Sequence, residues 1–349
     1  MARIPLTDSA EVDAAATEAA AILELLTGGW VAQTLRAMAS LNVADHVAAG
    51  AATAEEVAER ENADPRTMYR LMRAVSSLGL LSHQGARRFA LTTRGHMLRS
   101  DVPGSLRALV LIQNEHAHWQ SWEHFPDAVR AGRTQVHKAL GADLFEYFAK
   151  PENSAEAALF ARAMGDLSGL VTHGVVANVD TAGVASAVDV GGADGDLILG
   201  LMAQDPGLHG QVLELPHAVD GALREARKRG LADRFTATAG DFFTTVPAAD
   251  LYLLKMIMHD WDDDQCTTIL RNCREAVNEG GHALVVEMVI GELGRPDFAT
   301  RVDMNMLNVM HGMEREMAEY DALFAASGWR RVRDFPVGGG YSVLELVPS

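Results

Sequence analysis

The chain has 349 residues, 48% of them hydrophobic, enough for one large domain or two ordinary ones around a sizeable core. It carries 30 Lys and Arg against 47 Asp and Glu, a net charge of -17. That balance argues against nucleic acid as the principal partner, because phosphate binding draws on surplus Lys and Arg, and it is compatible with a cationic small molecule.

Residues 1–18 are polar and Ala-rich and read as a frayed arm. From Ile22 to about Ala49 apolar residues recur at threes and fours, the helical period. "TAEEVAERENADPRTMYRLMRAVSSLGLLSHQ" then reads as two helices. Thr53 caps the first, with Glu56 three residues on as a capping box. Asp64–Pro65 starts the second and Gly79 ends it. "FALTTRGHMLR" supplies a short strand and a turn, so the whole is a winged-helix pattern. Within it Arg66, Arg70, Arg73, Arg87, Arg88, Arg94 and Arg99 stand in a stretch without Asp or Glu. That local basic patch is open to phosphates, to acids elsewhere in the chain, or to a partner chain.

Residues 105–178 read as helical throughout. The texture then changes. "SAVDVGG", "GQVLELP", "RFTATAG", "DLYLLKMIM" and "HALVVEMVI" alternate with helical stretches, which makes βαβ units and a parallel sheet covered on both faces. "WRRVRDF" and "YSVLELV", separated by "PVGGG", read as a terminal hairpin. Cys266 and Cys273 fall two helical turns apart, too far to bridge. With no signal-peptide pattern and no run of roughly 18 apolar residues, a reduced cytoplasmic setting is expected.

Chemistry concentrates at the strand ends. In "VDVGGADGD", Gly191 and Gly192 let a ligand approach the backbone closely after the first strand. Glu214, in "VLELP", ends the second strand, where a carboxylate can accept both ribose hydroxyls. Gly240, Asp241 and Phe242, in "AGDFF", follow the third; Asp241 can accept from an adenine amino group and Phe242 can pack on the ring. Together they imply a nucleoside ligand, against the plainer reading of tight turns and surface acids. The fourth strand is expected to end at about Met258, which turns His259 into the crevice above the carboxyl edge. There a histidine is open to three readings: metal ligand, general base, or packed residue. Consecutive acids on a turn point in different directions and no second His or Cys sits at ligand spacing, so a metal is disfavoured. The acids at 262–264 cap the next helix.

These stretches, with "LKMIMHDWDDDQCTTIL", "VVEMVI" and "HGMERE...EY" in order, resemble the caffeic-acid-type or hydroxyindole-type small-molecule O-methyltransferases, and within them the bacterial natural-product branch. The resemblance covers nearly the whole chain. It implies a Rossmann-like class I methyltransferase domain over 179–349 that binds S-adenosylmethionine. It also implies an N-terminal, mainly α-helical winged-helix-like dimerisation domain over 1–104, a helical connector and lid over 105–178, and a homodimer.

In that family two glutamates flank the histidine; here they fall on Glu287, at the end of the fifth strand, and Glu314. The resemblance implies His259 as base, with Glu287 and Glu314 orienting and polarising it, and Lys255 at a cofactor contact. A neutral imidazole is suited to take a phenol proton near neutral pH. Trp119, Trp122, Phe160 and Met164 match positions that roof the acceptor. Asp260, Asn305, Met306 and Met310 are expected on its wall, where Met is adaptable and polarizable. Interhelical packing is the bland alternative for each.

Two departures stand out. A third consecutive Gly of the family is Ala193 here, tolerable if the backbone stays at φ < 0. The usual Gly–Gly before the second glutamate is His311–Gly312, which bears on the acceptor and adds a possible titrating group. A relative diverted to decarboxylation, hydroxylation or rearrangement, and a winged-helix DNA regulator, are the alternative functions.

Overall fold

The computed structural model describes residues 9–349. One compact unit is built from the chain up to His116 with Ala155–Asp166; the other comprises Ala117–Ser154 and Leu167–Ser349.

In the first unit, five helices (Ser9–Leu26, Gly28–Ser40, Val43–Ala48, Ala54–Glu61 and Pro65–Ser77) precede an antiparallel wing of β1 (Leu81–His83) and β2 (Phe89–Leu91). Local chemistry sets the boundaries. Thr53 and Glu56 cap each other reciprocally: the hydroxyl accepts from Glu56 N at 3.3 Å, and the carboxylate accepts from Thr53 N at 2.9 Å. Asp64 accepts from Thr67 N at 2.8 Å and Pro65 opens the next helix. That helix ends before Gly79, whose φ of +76° suits glycine. Met68, Met72 and Val75, one stripe at helical spacing, are buried in the unit's core.

Part of the expected arm is helical. Residues 1–8 lie outside the described residues, but 9–18 form the first half of helix Ser9–Leu26. The Ala-rich composition that reads as a loose tail also favours helix. The basic patch is partly neutralised: Arg99 pairs with Asp101 at 2.6 Å and Arg87 with Glu55 at 3.4 Å.

The second unit is built on an eight-stranded sheet. Its strands are β3 (Ser186–Val190), β4 (His209–Glu214), β5 (Phe235–Ala239), β6 (Ala249–Lys255), β7 (Val277–Ile290), β8 (Arg315–Glu316), β9 (Trp329–Gly338) and β10 (Tyr341–Pro348). The order is β5-β4-β3-β6-β7-β10-β9, with β8 pairing β7. The first five are parallel, as expected, and β9 and β10 form the antiparallel terminal hairpin. The short β8 was not anticipated; two residues are too few for a sequence signal.

Period-two alternation divides the apolar strands between two cores. Leu251, Leu253, Leu284 and Val286 enter one; Tyr252, Leu254, Ala283 and Val285 enter the other. All eight are buried, and burying each large apolar side chain contributes about 1.5–3 kcal/mol. Strand order reverses between β3 and β6, so the crevice at their carboxyl ends is the place for a ligand.

The fourth parallel strand stops earlier than expected. β6 ends at Lys255 rather than near Met258. Met256 takes φ +57° while its N–H still reaches Val286 O at 2.9 Å. The chain then turns through a short 3₁₀ segment, Met258–Asp260. A left-handed non-glycine residue is strained and persists only where its surroundings enforce it.

Candidate active site

The carboxyl ends of β5, β4, β3 and β6 carry the residues expected to hold a nucleoside. Gly191 turns the chain after β3 with φ +68°, and its N–H bonds Leu213 O at 2.9 Å. A side chain there would meet Ile257 at 2.7 Å and Phe242 at 3.5 Å, so Gly191, Phe242 and Ile257 form one surface. Gly192 is equally constrained: a Cβ would lie 2.5 Å from the Asp189 carboxyl carbon. Ala193 corrects the expectation. Its φ is +51°, in the left-handed region, so the methyl is carried at a conformational cost rather than avoided. Gly192 precedes it and Asp194 follows it.

Glu214 sits at the end of β4, where its carboxylate accepts from Leu215 N. Gly240 N bonds Glu214 O at 2.9 Å, which ties the third strand end to the second. Asp241 accepts from Phe243 N at 2.9 Å. Phe242 packs edge-on against Phe243 and Trp261. Lys255 ends β6 and donates to Ser168. Burial pulls its ammonium down, while Asp189 acts the other way. Asp189 is buried beneath the glycine turn and pushed up to about 6 by desolvation, with Lys255 opposing.

His259, on the 3₁₀ turn, is buried with two acids. Its Nδ1 lies 3.1 Å from Glu314 Oε1 and 3.6 Å from Glu287 Oε2; its Nε2 lies 3.6 Å from Asp260 Oδ1. Glu287 follows Ala283 and Val285 on one face of β7, three residues before the strand ends. Its Oε1 accepts from Ile257 N at 2.8 Å and Met258 N at 2.7 Å. The same carboxylate therefore builds the turn and faces the imidazole.

The loop bearing Glu314 crosses directly over the turn. Met313 N bonds His259 O at 2.9 Å, and a Cβ on Gly312 would lie 1.8 Å from that oxygen. Only glycine permits the approach. Asp303 accepts from Glu314 N at 3.0 Å. Arg315, which sequence reasoning missed, is buried and clamps the turn: it donates to Met258 O at 2.9 Å, Trp261 O at 2.8 Å and Asp263 Oδ1 at 2.8 Å. Its one sequence signal is a basic residue adjoining Glu314.

Burial alone would pull His259 down, but Glu287, the hydrogen bond to Glu314, and Asp260 outweigh it and raise the imidazole to about 10. Glu287 is pushed up to about 7 by burial, against the attraction of His259. The three acids around the ring therefore favour its charged form. One His and two Glu within 4.8 Å have the composition of a cation site. Glu287 Oε1 is committed to two backbone N–H groups and Nδ1 is engaged with Glu314, while Oε2 of each glutamate has no hydrogen-bond partner among the described residues.

Asp260, Trp261, Met310 and His311 line a cavity of about 450 Å³ with Asp143, Leu144 and Phe145. His311 Nε2 lies 4.0 Å from Asp143 Oδ1. Of the expected acceptor residues, Asp260 and Met310 come together there. Met306 is buried and Asn305 half-buried on helix Ala299–Val309. Trp119, on the short helix His116–Ser121, is 41% exposed. Phe160 and Met164 lie on helix Ser154–Asn178, in the stretch that belongs to the first unit.

The O-methyltransferase domain family matches residues 122–330, and the O-methyltransferase dimerisation domain matches residues 23–101. The chain belongs to the O-methyltransferase family. It is 33% identical over 328 residues to the phenazine O-methyltransferase PhzM of Lysobacter antibioticus, covering 94% of this chain and 95% of that protein. It is 34% identical over 322 residues to the mitomycin biosynthesis 6-O-methyltransferase of Streptomyces lavendulae, covering 91% and 90%. The solved structure of CalO1, a methyltransferase in calicheamicin biosynthesis with S-adenosylhomocysteine bound, superposes with a TM-score of 0.88 at 30% identity, covering 95% of this chain and 98% of that one. The enzyme is an S-adenosylmethionine-dependent O-methyltransferase of the class I fold with an N-terminal dimerisation domain.

Proposed function

We propose that this O-methyltransferase transfers a methyl group to a hydroxyl of an aromatic natural product, with His259 as general base. The relatives' names specify a phenazine, a mitomycin, a dihydroxynaphthoate and an aminohydroxybenzoate, which supports that acceptor class. One observation carries the role of His259. Nδ1 is engaged by Glu314 and Glu287, which leaves Nε2 on the side of Asp260, a residue that lines the cavity.

The residues around the crevice fit the cofactor. The turn at Gly191 and Gly192 admits close backbone approach, Glu214 offers a carboxylate to ribose hydroxyls, and Asp241 with Phe242 takes the adenine. Lys255 completes that wall. When bound, S-adenosylmethionine supplies an electrophilic methyl on a sulfonium. Nε2 of His259 would remove the hydroxyl proton, leaving a phenolate oxygen as the nucleophile for that methyl. Glu314 and Glu287 orient the ring and stabilise its protonated form. A positive charge brought into the crevice pushes the imidazole back toward neutrality, opposite to the acids. Asp260, Asn305, Met306 and Met310, with Trp119, form the acceptor wall in this reading.

We infer a homodimer as well. Ile22, Leu23, Leu25, Leu26 and Trp30 are all exposed apolar side chains at the start of the dimerisation domain, a patch that a second copy would cover. The free, buried thiols of Cys266 and Cys273 suit a reducing cytoplasm. The testing experiment is calorimetry with S-adenosylhomocysteine, then mass spectrometry of phenols, hydroxyquinones and phenazines incubated with enzyme and cofactor. Tight binding with a singly methylated product is expected. Tight binding with no product on any acceptor contradicts the acceptor class.

A further inference from the structure

Three buried polar atoms beside the proposed base have no hydrogen-bond partner among the described residues: Oε2 of Glu287, Oε2 of Glu314 and the hydroxyl of Tyr320. Their residues are 0%, 1% and 0% exposed. Buried polar groups are nearly always satisfied, so an orphan calls for an explanation. These three are complementary: two carboxylate oxygens can only accept when ionised, and a phenol hydroxyl can donate.

Their placement is consistent. Glu287 faces the same side of β7 as Ala283 and Val285, and Tyr320 packs in that same core. Among charged groups, Glu287 and Glu314 act on Tyr320 most strongly, ahead of Arg315 and Cys266. The Tyr320 ring stacks on Phe324 at 6.0 Å and 22°. Phenylalanine would provide that packing equally well, so the hydroxyl needs a reason of its own.

We propose that Tyr320 is a positioning residue for His259, its hydroxyl donating through one buried water molecule to the Oε2 atoms of Glu287 and Glu314. The partner oxygens are already committed, Glu287 Oε1 to Ile257 N and Met258 N, and Glu314 Oε1 to His259 Nδ1. A donor on Oε2 favours the ionised carboxylates where burial opposes them. The charged acids in turn hold the imidazole in register. The catalytic consequence rests on His259 as base; the hydrogen-bond network does not.

The titratable and charged groups facing this network are His259 and Asp260 on the turn, Lys255 on β6, Glu287 on β7, Asp303 on helix Ala299–Val309, Glu314 and Arg315 at β8, Cys266 on helix Asp263–Ala276, and Tyr341 on β10. Their balance is read directly at the imidazole. The experiment is an NMR pH titration of ¹³C-labelled histidines in the full chain, with no acceptor, comparing wild type with Tyr320→Phe. Losing the donor raises the carboxylates, weakens their hold on the imidazolium, and lowers the His259 midpoint by about half to one pH unit. An unchanged midpoint overturns the proposal.

A second measurement stands if the variant folds poorly. A high-resolution crystal structure of the wild type should show a water within hydrogen-bond distance of the Tyr320 hydroxyl and both Oε2 atoms; a hydroxyl bonded elsewhere overturns the proposal. Neither measurement needs methyl transfer. A fully active His259→Ala enzyme would remove the base and leave this network standing, whereas an unmoved titration would remove Tyr320 and leave the base.

Discussion

Glu314 Oε1 lies 3.1 Å from His259 Nδ1, and the loop that carries Glu314 bonds through Met313 N to the backbone oxygen of His259 at 2.9 Å. The acid and the imidazole are thus held together twice, by side chain and by main chain. Glu314→Gln keeps the shape and removes the charge. We expect the fold and cofactor affinity to persist while turnover falls about 10–100-fold, in the range of losing part of a general-base device. Steady-state kinetics beside a cofactor titration checks this; unaltered turnover would confine Glu314 to a structural role.

The pH dependence follows from the raised imidazole. His259 moves from 6.5 to about 10, with burial opposing and Glu287, Glu314 and Asp260 prevailing. A base acts only when neutral, so kcat/KM should rise with pH well above the ordinary histidine range. For stability the folded-state value is the higher one. The contribution is fully present below 6.5 and is lost as pH rises through about 10. Thermal melts across that window should therefore fall more steeply for wild type than for His259→Gln. Parallel curves would show that His259 titrates at its ordinary value.

Ala193 holds φ +51°, with Gly192 before it and Asp194 after it. Ala193→Gly removes left-handed strain but adds freedom to the unfolded chain. The net expectation is a gain of about 0.5–1 kcal/mol in a denaturant melt, with cofactor affinity equal or better. A loss of stability would mean that the methyl packs usefully.

Glu214 ends β4, and the backbone of the third strand end is tied to it through Gly240. Glu214→Ala should weaken binding of S-adenosylhomocysteine about tenfold or more, the worth of one hydrogen bond to a charged group. Calorimetry reads it; an unchanged Kd would contradict the ribose role.

Much of this was legible in the sequence, and the limits have physical reasons. Caps announce themselves locally, so Thr53 with Glu56 and Asp64 with Pro65 marked helix starts correctly. Alternating apolar runs between helices announced the five parallel strands and the hairpin. Met256 did not, because its left-handed conformation is imposed by neighbours and not by its own preference. It ends β6 three residues before the apolar run does. Arg315 and Tyr320 stand inside the quoted "HGMERE...EY" stretch, but no role was legible for either there, for a related reason. Their importance comes from burial against the turn and its acids, which pattern alone does not reveal.

The central claim is that His259 takes the acceptor's proton. Its most direct test is His259→Ala, measured for turnover on a methylated acceptor and for S-adenosylhomocysteine affinity in the same preparation. The account predicts turnover lower by about 10²–10⁴-fold with affinity unchanged. Wild-type turnover in that variant would contradict it.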